Sequence, residues 1–250
     1  MPIAVARRRK DKSYILSGEI LGTCFSIGND LLLTAGHVVQ SIQSSTLEGI
    51  VGFVESDRKF LKAAPIVEVE ELHGDISLIK VEHVEKESIN WKHILRWNKH
   101  PLNMFDQVRS LGYPHALQAV DENVSVIQRA LQGHIVSAPD KFKPVGFKGQ
   151  PFGVYELSFQ ASSAMSGSPL LWSPSEPLIS GLIIGNSSSK MMLLEFEEVQ
   201  EKSGEKIKVE QYESLALGIA VRQTEMFDLS SNLLDMTLFE YLESQKLLAD

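Results

Sequence analysis

Leu33-Thr34-Ala35-Gly36-His37-Val38-Val39 reads as an apolar strand that runs into small residues and then into a histidine at the head of a helical turn. Alone, such a histidine is usually just packed or solvated, and its meaning depends on what stands far from it. Gly74-Asp75-Ile76-Ser77-Leu78-Ile79-Lys80 sets an aspartate before an alternating strand, 38 residues after His37. Ala164-Met165-Ser166-Gly167-Ser168-Pro169-Leu170 is a tight turn of small residues entering another apolar strand, with Ser166 lying 91 residues beyond Asp75. Each of these is weak by itself, because Asp before a strand and Ser, Gly or Pro in a loop are ordinary turn chemistry.

The chain around them reads mainly as β, in short apolar stretches broken by Gly, Pro, Asn and Asp. Strands are predicted at 20–27, 31–34, 50–54, 60–69 and 76–81 in the first half. The second half offers 108–111, 124–130, 134–137, 154–159, 169–172, 178–184, 191–199, 207–212 and 215–221. Gly28-Asn29-Asp30 suits a tight hairpin, since Gly and Asn tolerate positive φ. The polar stretch 85–105 reads as a connector with a little helix. Two groups of strands about a connector predict two antiparallel six-stranded β-barrels rather than alternating βαβ units, so the fold class is all-β. Leu234, Leu238, Tyr241, Leu242 and Leu248 recur at helical spacing after Ser230-Ser231. They predict a C-terminal helix capped by those serines and packed on the second barrel. The expected division of the single domain 1–250 is an N-terminal barrel at 14–84, the connector, a C-terminal barrel at 106–222 and a helical segment at 223–250.

Composition narrows the classes. The 250 residues are 43% hydrophobic and 22% charged, as in ordinary globular proteins, and no apolar run is long enough to span a bilayer. The net charge of −8 argues against nucleic-acid binding, which needs a positive field. Arg7 to Lys12 is the basic exception and reads as a solvated arm. It lacks the apolar stretch of a secretion signal. Cys24 is the only cysteine, so no intrachain disulfide forms, and a reducing, cytoplasmic setting is expected. In an apolar strand, Cys24 reads as a buried structural thiol. No metal-ligand or phosphate-loop pattern occurs, so neither metal nor cofactor is expected.

Together the three motifs resemble the trypsin-like serine peptidases, in their disulfide-free bacterial and HtrA-like branch. That branch carries T-A-x-H, D-[IL]-[AS]-[LV] and G-x-S-G-[GS]-P in this order. The resemblance extends from about Gly18 to Arg222. Gly22-Thr23-Cys24-Phe25, Gly112-Tyr113-Pro114, Gly181-Leu182-Ile183-Ile184-Gly185 and Gly218-Ile219-Ala220-Val221 match further strands. An α/β-hydrolase would place its serine first in a G-x-S-x-G turn, which does not fit. The resemblance implies a serine endopeptidase with His37 as general base, Asp75 orienting it and Ser166 as nucleophile. Activity would then fall on acidification as the imidazole protonates. The resemblance also implies a protein or peptide substrate paired with the strand at 183–186. Backbone N–H groups of Ala164 and Ser166 would form the oxyanion hole. Gln160, Ile184, Gly185 and Gly218 would line the specificity pocket. No nucleic-acid or membrane partner is expected.

Two positions depart from the family. Ala164 stands where Gly is usual, so either Ala fits with small adjustment or the hole is strained until substrate or an activating protein binds. Met165 replaces the Asp that pairs with a newly cut N-terminus in digestive members, which argues against that route of activation. Glutamates from Met191 to Tyr212 read as a solvated hairpin; overhanging the groove, they would favour basic substrates. A peptide-binding module with weak or no turnover is the alternative function.

Overall fold

The computed structural model describes residues 1–10, 14–54, 61–82, 94–114, 117–120, 123–126, 128–144, 147, 149–172, 176–199 and 206–249. Its first half contains β1 (Pro2–Arg8), β2 (Tyr14–Thr23), β3 (Phe25–Gly28), β4 (Leu31–Ala35), α1 (Gly36–Gln43), β5 (Glu48–Val54), β6 (Leu61–Leu72) and β7 (Ile76–Val81). These strands form a seven-stranded antiparallel sheet in the order β2-β1-β5-β6-β7-β4-β3.

The expected six-stranded barrel is therefore corrected here. The additional strand is β1, which buries Ile3, Ala4 and Ala6 and pairs with both β2 and β5. Arg7 and Arg8 belong to its ladder, opposite Ile15 and Tyr14, with their own side chains exposed, so the solvated arm does not begin at Arg7. Among the described residues no ladder joins the edge strands β2 and β3. They are instead consecutive in the chain, separated by buried Cys24. The hairpin at 28–30 forms as predicted, with φ of 103° at Gly28, 51° at Asn29 and 61° at Asp30.

The second half contains β8 (Gln107–Gly112), β9 (Leu117–Val120), β10 (Asn123–Val126), β11 (Arg129–Ser137), β12 (Val154–Leu157), β13 (Pro169–Trp172), β14 (Leu178–Val199) and β15 (Lys206–Arg222). Six of them close a barrel, β11-β12-β15-β14-β13-β8. β8 shows the expected period of two, burying Val108, Ser110 and Gly112 while Gln107, Arg109 and Leu111 face out. β9 and β10 pair as a separate hairpin. β14 and β15 continue past the barrel as a ribbon paired from Asn186↔Gly218 to Val199↔Lys206. The acidic side chains of that ribbon lie outside the described residues.

No helix forms in the described part of the connector, 94–105; the remainder, 85–93, lies outside the described residues. The chain ends in α2 (Gln223–Phe227), β16 (Ser230–Ser231), β17 (Met236–Thr237) and α3 (Leu238–Ser244). Ser230 and Ser231 pair with β17 rather than capping a helix. The cap of α3 is Thr237, in a reciprocal capping box with Glu240. Its docking also takes in the first half. Tyr241 of α3 accepts a hydrogen bond from Asn29 Nδ2 at 3.2 Å, which draws the helix onto the β3–β4 turn. One buried apolar cluster takes in Ile27 and Ile79 of the first sheet, Trp97 of the connector, Leu182 and Val221 of the barrel, and Leu238 and Leu242 of α3. No helix among the described residues is long and apolar enough to cross a membrane.

Candidate active site

The β4–β7 ladder pairs Ala35 with Ile76, so the residue after β4 meets the residue before β7. Gly36 N–H donates to Asp75 O at 2.8 Å, and His37 N–H to Asp75 Oδ1 at 2.8 Å. His37 Nδ1 lies 2.7 Å from the other carboxylate oxygen, Oδ2. A Cβ on Gly36 would stand 2.9 Å from Asp75 Oδ1, so the approach needs glycine there. Asp75 itself sits at φ 58°, a left-handed conformation that Asp tolerates better than most residues. A carboxylate can only accept, so the Nδ1 that faces it carries the proton, leaving Nε2 as the basic nitrogen. The Asp75 side chain is 17% exposed and that of His37 45%, which leaves the imidazole open to a substrate.

The Ser166 loop packs against β2 from the barrel side of the seam, and among the described residues no hydrogen bond joins it to His37 or Asp75. Thr23 N–H donates to Ser166 O at 2.8 Å. The buried Thr23 hydroxyl donates to Ala164 O at 2.9 Å and accepts from Tyr113 N–H at 3.1 Å. A Cβ on Gly167 would fall 2.0 Å from Thr23 O and 3.0 Å from Ala35 N, so only glycine lets the loop lie against the end of β4. Met165 is fully buried in the barrel core. Gly112 passes so close to it that a Cβ there would come 2.5 Å from the Met165 sulfur. The loop is thus anchored by packing. Ala164 adopts φ 65°, the glycine-like backbone anticipated at that position, at a cost of about 1 kcal/mol for a residue bearing Cβ. Among the described residues neither the Ala164 nor the Ser166 N–H donates a hydrogen bond, and the Ser166 hydroxyl makes none.

A groove of about 1030 Å³ runs beside His37, walled by His73, Phe147, Ile184, Gly185 and Asn186 among others. His73 stacks at 6.1 Å from the Phe147 ring and 5.9 Å from Phe152, which ties the turn before Asp75 to the barrel's 138–153 segment. Of the four pocket residues named from the sequence, Ile184 and Gly185 line this groove. Gln160 is exposed and does not line it, and Gly218 is packed, its N–H donating to Phe159 O at 2.8 Å. Among the described residues no group of three or more His, Cys, Asp or Glu is placed to hold a metal ion. Burial pushes the Cys24 thiol up to about 11, which makes it a poor nucleophile.

The sequence places Thr23 and Asn186 on strands, but the side-chain bonds they make are not legible in it, because their partners stand 141 and 25 residues away.

A family model described as a trypsin-like peptidase domain matches residues 22–176. No curated protein sequence matches the chain. Among solved structures, the HtrA-type protease AlgW with a decapeptide is similar at 14% identity and TM-score 0.53, over 85% of this chain and 50% of that one. This chain therefore spans half the length of AlgW. An inactive form of Rv3671c from M. tuberculosis is 18% identical at TM-score 0.48, over 82% of this chain and 77% of that one. The MamO protease domain from Magnetospirillum magneticum is 13% identical at TM-score 0.49, over 89% of this chain and 92% of that one. At these identities the AlgW likeness shows a common fold.

Proposed function

This chain belongs to the trypsin-like peptidase family, and on that premise we propose that it is a serine endopeptidase acting through His37, Asp75 and Ser166. The observation that carries the reading is the Asp75–His37 couple, bonded at 2.7 Å on the wall of an open groove. As Ser166 Oγ attacks the substrate carbonyl carbon, its proton passes to His37 Nε2. Asp75 holds the tautomer and stabilises the imidazolium. His37 then protonates the leaving amine. Water repeats the sequence on the acyl-enzyme, giving up its proton to the same nitrogen before Ser166 departs. The negative charge on the carbonyl oxygen would be met by the N–H groups of Ala164 and Ser166, neither of which is spent elsewhere among the described residues. The substrate would lie extended along β14 from Ile184. There the strand has left its β13 partner, whose ladder ends at Leu182. The unbonded Ser166 hydroxyl accords with a resting site, since catalytic hydrogen bonds often tighten only with substrate.

That same unbonded hydroxyl favours the second reading, a peptide-binding module with little turnover. Fluorophosphonate labelling separates the two. The peptidase reading expects covalent labelling of the wild type that disappears in Ser166→Ala; an unlabelled wild type in the presence of candidate activating partners rejects it.

A further inference from the structure

With a peptide placed as above, the side chain on the acyl side of the scissile bond would enter between two walls, Ile184–Asn186 and Phe159–Ala161. The inference that follows rests on that placement. The walls are tied together at two points. At one, Gly218 N–H donates to Phe159 O at 2.8 Å, and a Cβ on Gly218 would stand 2.6 Å from the same oxygen. At the other, the Asn186 side chain bonds both backbone groups of Ala161. Ala161 N–H donates to Asn186 Oδ1 at 2.7 Å, and Asn186 Nδ2 donates to Ala161 O at 2.7 Å. The side-chain amide thus serves Ala161 as a neighbouring strand would, with one donor and one acceptor presented together.

We propose that Asn186 is a crossbar that limits the residue on the acyl side of the scissile bond to a small side chain: Gly, Ala or Ser. A larger group could enter only by breaking both bonds. That would strand the polar backbone of Ala161, a residue only 5% exposed. Asn186 is neutral, so it gives a cationic side chain nothing to pair with. Space remains beside Gly185, where nothing lies within 4 Å of the position a Cβ would take, and a small side chain needs no more. The sequence names Gln160, Ile184, Gly185 and Gly218 as pocket residues and sets no limit on size. The narrower specificity comes from one side chain whose bonds reach back 25 residues.

Peptidyl diphenyl phosphonates that differ only in the side chain next to phosphorus test this on the intact protein. The wild type should label fastest with Ala and about tenfold or more slower with Leu, Phe or an Arg mimic. In Asn186→Ala the ratio of Phe to Ala labelling should rise about tenfold or more. A wild type that prefers Leu, Phe or the Arg mimic overturns the crossbar, and that measurement needs no variant to fold. A folded Asn186→Ala, checked by its melting curve, with an unchanged ratio also overturns it. Either result would leave the peptidase reading standing. A wild type labelled by no phosphonate, fluorophosphonate included, overturns both.

Discussion

The Thr23 hydroxyl donates to Ala164 O and accepts from Tyr113 N–H, its N–H holds Ser166 O, and its own carbonyl accepts from Thr34 Oγ1 at 2.8 Å. All four bonds are made by one residue, 1% exposed, at the seam between the two halves. Its hydroxyl fixes the peptide following Ala164, whose φ of 65° an alanine would otherwise abandon. Thr23 is therefore a positioning residue for the Ser166 loop. Thr23→Val keeps the shape but strands a buried carbonyl and a buried N–H, costing about 1–3 kcal/mol. On a peptide substrate it should lower kcat by about tenfold to a hundredfold with KM little changed, while Thr23→Ser retains most of the rate. If Thr23→Val melts earlier yet keeps its kcat below the melting range, the hydroxyl serves stability alone.

Among the elements, β6 and the segment after α2 are held together by one carboxylate. Glu70 accepts from Ser231 Oγ at 2.5 Å, Asn232 N–H at 2.8 Å, Asn232 Nδ2 at 3.0 Å and Leu233 N–H at 3.0 Å. Burial pushes the Glu70 carboxyl up, but these donors outweigh it and hold the group below its ordinary value. A carboxyl depressed in the fold lends stability that is present at neutral pH. That stability is lost as the pH falls from the ordinary range near about 4.3 through the lower folded value. Glu70→Gln should thus lower the melting temperature by about 2–4 °C at neutral pH, with the gap closing as the pH falls below the ordinary carboxyl range. A gap that persists unchanged in acid would show that charge is not its source. The C-terminal helix teaches a related lesson. Its apolar spacing was readable, but its start was not taken from Thr237 and Glu240, the residues that form the capping box. From the sequence, β14 is broken at the polar residues 185–190 and β15 at 213–214. Backbone ladders do not need apolar side chains, so pairing continues through them.

At the scale of the molecule, Trp97 is the joint between halves. Fully buried, its ring lies 6.0 Å from Phe25 of the first sheet and 6.1 Å from Phe227 of α2. Its backbone N–H donates to Leu247 O at 2.7 Å, and its backbone carbonyl accepts from Ala249 N–H at 2.8 Å. The sheet, the barrel and the C-terminal segment consequently share one apolar cluster, and they should unfold together. Trp97→Ala should cost about 3–5 kcal/mol and lower the melting temperature by about 10 °C, the wild-type melt being a single calorimetric transition. Two resolved transitions in the wild type would contradict a shared core.

The amino-acid sequence alone specified the order of the His, Asp and Ser motifs, most of the strands, the 28–30 hairpin and the buried character of Cys24. These rest on local pattern: side-chain period, turn residues and short motifs that need no distant partner. Tertiary structure decided that β1 adds a strand to the first sheet. It also decided that α3 caps on Thr237 and docks on Asn29, that Thr23 clamps the Ser166 loop, and that Asn186 bonds both backbone groups of Ala161. Each of these is a hydrogen bond, a ladder or a packed contact between residues far apart in the chain. Propensity carries no information about such partners until the fold brings them within about 3 Å of one another.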